Sequence, residues 1–319
     1  MPLILILIFC SGIFSLNYIE KSEITIAKIM CIQNDLTSII SQKNNVPNTK
    51  TFTKNKKINI MKKVKFATFL LLFAIAGTEI SAQSLTAQKI IENVYYRPTG
   101  ADGTSELSMH LIDSRNNERI RQIKQFSKDF GKEEKSIMFF MSPADVKNTS
   151  FMNWSYDDAS KDDDQWIYLP ALKKTKRISS DSKDDSFMGS DFTYDDLGDR
   201  HPNEDNHKLL REETIDGKQC FVIESTPKDG DYMYSKTITW VIKDIWIGIK
   251  KEFYDEDADL LKVLTVKKYE KIKDYWVISN TEMKNIQDDH TTKMVLSNIQ
   301  VDIGIDDNKF TERTMTRGL

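Results

Sequence analysis

Several groups of side chains in this 319-residue chain have types and spacings that chemistry would need. Asp255, Asp257 and Asp259 alternate as the first ligands of a calcium loop do. Such a loop also needs glycine at its sixth place, for a sharp turn, and glutamate at its twelfth. Leu260 and Val266 stand there instead, so the run reads as a solvated hairpin loop. Gly189-Ser190-Asp191 sets a serine beside a glycine, but the Gly-x-Ser-x-Gly turn that exposes a nucleophile is missing. His110, His201, His207 and His290 show no metal-ligand spacing. His201 and His207, among polar residues, read as surface groups. Asp162-Asp163-Asp164 and the acidic residues of 181–185 read as solvated loops. No catalytic residue, metal site or cofactor follows, and no enzyme is expected.

What remains is apolar and aromatic: Phe139, Met141, Trp154, Trp166, Tyr168, Phe187, Met188, Phe192 and Tyr194. Phe187, Met188, Phe192 and Tyr194 stand between Asp184-Asp185 and Asp195-Asp196, with Gly189 giving local freedom. Large apolar side chains inside a charged loop are costly in water. They either plug a core or form a lid over a groove in which a ligand lies. Beside them, Lys173, Lys174, Lys176 and Arg177 make a dense basic patch. Its two readings are an edge strand protected against pairing and a contact for anionic lipid headgroups or an acidic partner.

These groups meet in one stretch, residues 164–197. It opens with an apolar strand, residues 165–169, which Pro170 must end because proline offers no N–H to a sheet ladder. After the basic run comes an acidic loop, in which Ser190 with Asp191 can cap a short helix through Leu197. Upstream, Ser84 can cap a helix over 85–95, stopped by Pro98 and Gly100. The period then changes to two, with Leu107, Met109 and Leu111 alternating with Ser108 and His110. Strands are predicted over 120–130, 137–141, 149–156, 209–215, 219–224, 232–243, 248–254, 260–269, 275–284 and 291–303. Asp216-Gly217 is a hairpin signal. Short turns and the absence of alternating helices give an antiparallel meander of roughly ten to eleven strands.

WIYLPALKKTKRI followed by SFMGSDFTYDDL, over residues 166–178 and 186–197, resembles the LolA-like family of outer-membrane lipoprotein-sorting proteins. FFMSPADVKNTSFMNW at 139–154 and FTERTMTRG at 310–318 extend the likeness from about residue 84 to the C-terminus. The resemblance implies a mainly β, α+β fold: an open antiparallel half-barrel with an N-terminal helix and a short helical lid over an apolar concave face. It implies binding of lipid or lipoprotein acyl chains. The aromatic set above would line the groove, and the basic patch would meet headgroups or a partner. An inner-membrane transporter and an outer-membrane acceptor are the implied protein partners.

Residues 83–319 are read as that lipid-binding domain. Residues 61–82 carry a basic start, an apolar run and a small-residue cleavage site at Ala82, the pattern of a signal peptide. Residues 1–60 read as an upstream extension or a disordered leader, with an extra anchor around 3–14 as the alternative. The whole chain has 45 Lys+Arg against 48 Asp+Glu, a net −3, and the part after Ala82 reaches −9. An acidic domain of this kind repels nucleic-acid phosphates. Of Cys10, Cys31 and Cys220, only Cys220 lies in that domain, so it has no internal disulfide partner; its strand setting predicts a buried thiol. The expected function is a periplasmic carrier of acyl chains towards the outer membrane. The alternatives are an envelope module that senses lipoproteins without carrying cargo, and an envelope-lipid hydrolase, which lacks a Ser/His/Asp pattern.

Overall fold

A computed structural model of the chain describes residues 85–319. The signal-peptide and leader expectations, and Ser84, lie outside the described residues. The N-terminal helix α1 runs Ala87–Tyr95. Its cap is Thr86, whose side chain accepts from the Lys89 amide at 3.2 Å. Thirteen strands follow: β1 Asp102–Ile112, β2 Glu118–Asp129, β3 Glu133–Ser142, β4 Ser150–Tyr156, β5 Asp164–Leu169, β6 Lys174–Arg177, β7 Asp205–Ile215, β8 Lys218–Pro227, β9 Lys236–Ile242, β10 Gly248–Tyr254, β11 Leu260–Ile272, β12 Tyr275–Asn285 and β13 His290–Val301. A short C-terminal helix, α2, spans Glu312–Arg317.

All thirteen strands join one antiparallel sheet in the order β6-β5-β4-β3-β2-β1-β13-β12-β11-β10-β9-β8-β7. Every pair is adjacent in sequence except β1 with β13, which joins the first strand to the last. The two edges, β6 and β7, are not paired to each other, so the barrel stays open. The fold is the expected open antiparallel half-barrel, but with thirteen strands where roughly ten to eleven were predicted. β6 shows why the sequence undercounts. It contains no apolar residue and is largely exposed, so it carries no alternating signal, and its basic side chains guard an edge. Elsewhere local chemistry acts as read. β5 ends at Leu169 before Pro170. Asp216 and Gly217 turn β7 into β8 with φ of 49° and 76°, the left-handed pair a tight hairpin needs.

Register decides which side chains share a face. Leu107 lies opposite Ile123, Ile123 opposite Phe140, and Met109 opposite Met294. These, with Leu111 and Phe151, form the apolar floor of the inner face. One residue along, Ile137, Phe139 and Met152 point to the outer face. There Ile305, Phe310 and Met315 of the C-terminal segment cover them. Both faces of β3 and β4 are therefore buried, so Phe151 and Met152 follow each other with no polar residue between. Cys220 is fully buried on β8, as predicted.

Candidate functional site

Because β6 and β7 are opposite edges yet consecutive in the chain, residues 178–204 must cross the sheet from one edge to the other. They cross its inner face. Polar side chains from four separate strands pin them there. Gln165 on β5 donates to the Tyr194 carbonyl at 2.8 Å. Arg121 on β2 donates to the Met188 carbonyl. On β13, Thr292 Oγ1 accepts from the Asp191 amide at 2.9 Å and donates to the Asp191 carboxylate at 2.7 Å, which His290 also meets at 2.8 Å. On β11, Lys262 donates to the Asp191 carbonyl at 2.9 Å and to Asp196 at 2.5 Å. Lys262 and Asp196 are both buried, an ion pair that holds only because each is satisfied.

The crossover is helical in short 3-10 turns, including Phe187–Gly189 and Asp195–Leu197. The expected cap by Ser190 and Asp191 is corrected. Thr193 and Asp196 cap reciprocally instead: the Asp196 amide donates to Thr193 Oγ1 at 3.1 Å, and the Thr193 amide to Asp196 at 2.8 Å. Asp191 is spent on β13, because the chain there must be held down against the sheet.

The expected aromatic groove is split. Phe187 is fully buried among Phe140, Phe151 and Tyr194, with ring centroids 5.1–6.1 Å apart. Met188 packs at the rim of the same cluster. Phe192 is buried in a second one with Tyr234, Phe253 and Met283. Phe139, Trp154, Trp166 and Tyr168 lie on the outer face beneath the C-terminal segment, and Met141 is 44% exposed. Their closeness in sequence hid this division, because neighbouring strand residues point to opposite sides.

What the crossover and α1 leave uncovered is a hollow of about 1000 Å³. Helix α1 packs Ala87 and Ile90 on Ile223 of β8 and Val241 of β9. Ile91 and Val94, on its flank, form one wall. Phe253, Leu264, Ile278 and Met283 of the inner face form another, and residues of the crossover a third. Of the expected aromatic set, Phe192 lines it. A smaller space of about 310 Å³ adjoins, sharing Arg97, Asp129, Glu134 and Ile278. Sequence reasoning missed these walls because they come from strands scattered between residues 91 and 283. The available signal was period two in β9–β12, which does not say which inner positions stay uncovered.

Ionisable groups ring the hollow. Glu134 keeps an exposed side chain at the rim of the hollow, and protein crowding on its inner side, with Asp199 and Asp129, raises its pKa. Asp163, which lies behind the hollow's lining and not in it, is pushed up to about 6 by burial, although it accepts hydrogen bonds from the Asp199 amide, Asn153 and Ser155. Gly198 leaves room for the Asp163 carboxylate, which a Cβ there would push aside. Lys251 is lowered by burial. His201 is corrected from a surface group to a buried one, its Nε2 3.3 Å from Tyr96 Oη. His207 bridges Ser225 and the Pro202 carbonyl at 2.8 Å each, and burial lowers its pKa. The basic patch sits far from bulk burial: Lys173, Lys174 and Lys176 are exposed on edge strand β6 and the turn before it, while Arg177 pairs with Asp164. Among the described residues no cluster of His, Cys, Asp and Glu is arranged to hold a metal ion.

A family described as an uncharacterized protein matches residues 132–317. No curated protein matches the chain. Among solved structures, a DUF1329 family protein from Desulfovibrio piger is 32% identical with a TM-score of 0.69, covering 72% of this chain and 97% of its own. A putative outer membrane lipoprotein-sorting protein domain from Vibrio parahaemolyticus is 33% identical with a TM-score of 0.68, covering 72% and 98%. A LolA superfamily protein from Nitrosomonas europaea shares the fold at 21% identity and a TM-score of 0.57, covering 72% and 99%.

Proposed function

We propose, from the premise that this chain belongs to the LolA-like family of outer-membrane lipoprotein-sorting proteins, that it is a carrier of lipid or of lipoprotein acyl chains. The observation that carries the reading is the hollow of about 1000 Å³ between the inner face, α1 and the crossover. An interior normally packs to the density of an organic crystal, and ligand sites occupy roughly 300–1,000 Å³. Space of this size, walled in part by Phe253, Leu264, Ile278 and Met283, is what an acyl chain would complete. Each buried methylene contributes about 0.8 kcal/mol. A dozen give on the order of 10 kcal/mol before ordering costs, enough to hold a chain and still release it to a membrane that buries it equally well.

The reading places the protein in the periplasm, exported through the signal peptide at 61–82, with cargo moving towards the outer membrane. The acyl chain lies against the walls of the hollow. In the original aromatic set Phe192 is the direct contact, and Phe187, Met188 and Tyr194 act by anchoring the crossover. Lys173, Lys174, Lys176 and Arg177 on the β6 edge meet anionic headgroups of the acceptor membrane or an acidic partner. Chemistry is not part of the role; the site holds and releases.

Native mass spectrometry of the full chain purified from its own cell envelope tests the carrier reading. Retained lipid or acylated peptide, together with micromolar binding of a fluorescent acyl probe, is the expected result. A bare protein that also ignores the probe would sink it.

A further inference from the structure

We propose that the large hollow takes an amphiphile with an anionic head, a carboxylate or a phosphate, and that Lys251 on β10 holds that head. The inference rests on the carrier reading and adds the chemical class of the ligand.

Lys251 belongs to the inner face. Its register partners are Leu264 on β11 and Thr239 on β9, and all three line the hollow. A lysine on the inner side of a sheet is costly unless something compensates its charge. Among the described residues Lys251 has neither a hydrogen bond nor an ion pair. The group its ammonium approaches is the Phe253 ring, with Nζ 4.8 Å from the centroid. The side chain is half-buried and keeps surface open to the hollow. Its ammonium is thus presented to whatever fills that space.

Charged groups face Lys251 from the crossover and from β7, and each is already engaged. Asp196 accepts from Lys262 at 2.5 Å and from Tyr234 at 3.1 Å. Asp195 accepts from Tyr232 at 2.5 Å. Asp205 and Glu204 pair with Arg200 at 2.7 and 3.1 Å. Each of these carboxylates is hydrogen-bonded elsewhere, and none of them lies within ion-pair distance of the Lys251 ammonium. Burial correspondingly lowers its pKa, and an arriving anion would reverse that loss. Phe253, Leu264 and Met283 beside it offer the wall along which the rest of an amphiphile can lie.

The test compares three probes on the full chain: the fluorescent polyene cis-parinaric acid, its methyl ester, and a monoalkyl phosphate of equal length competing with it. The acid and the phosphate should bind at least tenfold more tightly than the ester. Lys251→Met should abolish that difference while leaving ester affinity unchanged, and Lys251→Arg should keep most of it. A preference between the two anions supports the proposal either way and names the source, fatty acid or phospholipid. Equal wild-type affinity for acid and ester overturns the anionic-head proposal but leaves the carrier reading standing. So does a Lys251→Met variant that loses acid and ester alike, which would make the lysine structural. Binding of none of the three overturns the carrier reading itself.

Discussion

Phe187 is where the lid and plug readings of the crossover part. It has no exposed surface and touches three aromatic rings. Phe187→Ala should therefore cost about 3–5 kcal/mol of stability, read from urea unfolding. A loss under 1 kcal/mol would restore the mobile lid. Lys262 and Asp196 make the second case. Lys262→Met leaves a carboxylate buried without its cation, at a cost of about 3–5 kcal/mol. Adding Asp196→Leu should recover part of that loss; a double variant no better than the single would mean that packing, not charge, matters there. Asp163 sets a pH dependence. Its folded pKa, about 6, lies above the ordinary 3.8. The folded state thus holds this proton more tightly than the unfolded chain. Its contribution to stability is full below the ordinary value and is lost as pH rises through about 6. Unfolding midpoints should fall from about pH 4 to about pH 7, and Asp163→Asn should flatten the slope. An unchanged slope in that variant would remove Asp163 as the cause.

At the scale of elements, the crossover behaves as an inward-folded strap. Its ends are charged, its middle is apolar, and its backbone is fastened to β2, β5, β11 and β13. The Phe187 amide donates to the Phe192 carbonyl at 2.7 Å, closing the middle on itself. Native-state hydrogen exchange should show that amide opening only with the whole domain. Thr292→Val, which removes one of the partners of Asp191, should speed exchange at the Asp191 and Phe192 amides by tenfold or more. Unaltered protection would mean that Lys262 and His290 hold Asp191 without Thr292. The C-terminal segment has the matching role outside, where Phe310 and Met315 cover Ile137, Phe139 and Met152. Its motif entered the resemblance as a string of letters; its physical work is to cover an outer face that would otherwise be bare.

For the molecule as a whole, one topological fact governs the rest. The strands begin with β1 at the middle of the sheet, run out to β6, and resume at the far edge with β7. The connection must then cross the inner face, and a sheet of thirteen strands curls around more volume than one crossover and one nine-residue helix can fill. The hollow follows from that geometry. Ile278→Trp, which fills it from β12, should lower acyl-probe affinity at least tenfold with little change in the unfolding midpoint. Unchanged affinity would place the ligand elsewhere.

Much of this was legible in the residues themselves. Alternation in β1 and β9–β13, the Asp216-Gly217 turn and the stop at Pro170 are local, and local sterics and burial decide them in any context. The buried thiol of Cys220 rests on equally local grounds. The central motif marked the stretch that matters. The faces were not legible. Trp154 and Trp166 read as neighbours of Phe187, yet register sends them through the sheet to the other side. Lys251, Leu264 and Met283 lie in three different strands, and only pairing brings them to one wall. A sequence states each residue's preference for water or for apolar surroundings, which is a property of one side chain. Which residues share an interior, and which of them stay uncovered, depends on long-range pairing between β1 and β13 and on the path from β6 to β7, and that only the folded chain decides.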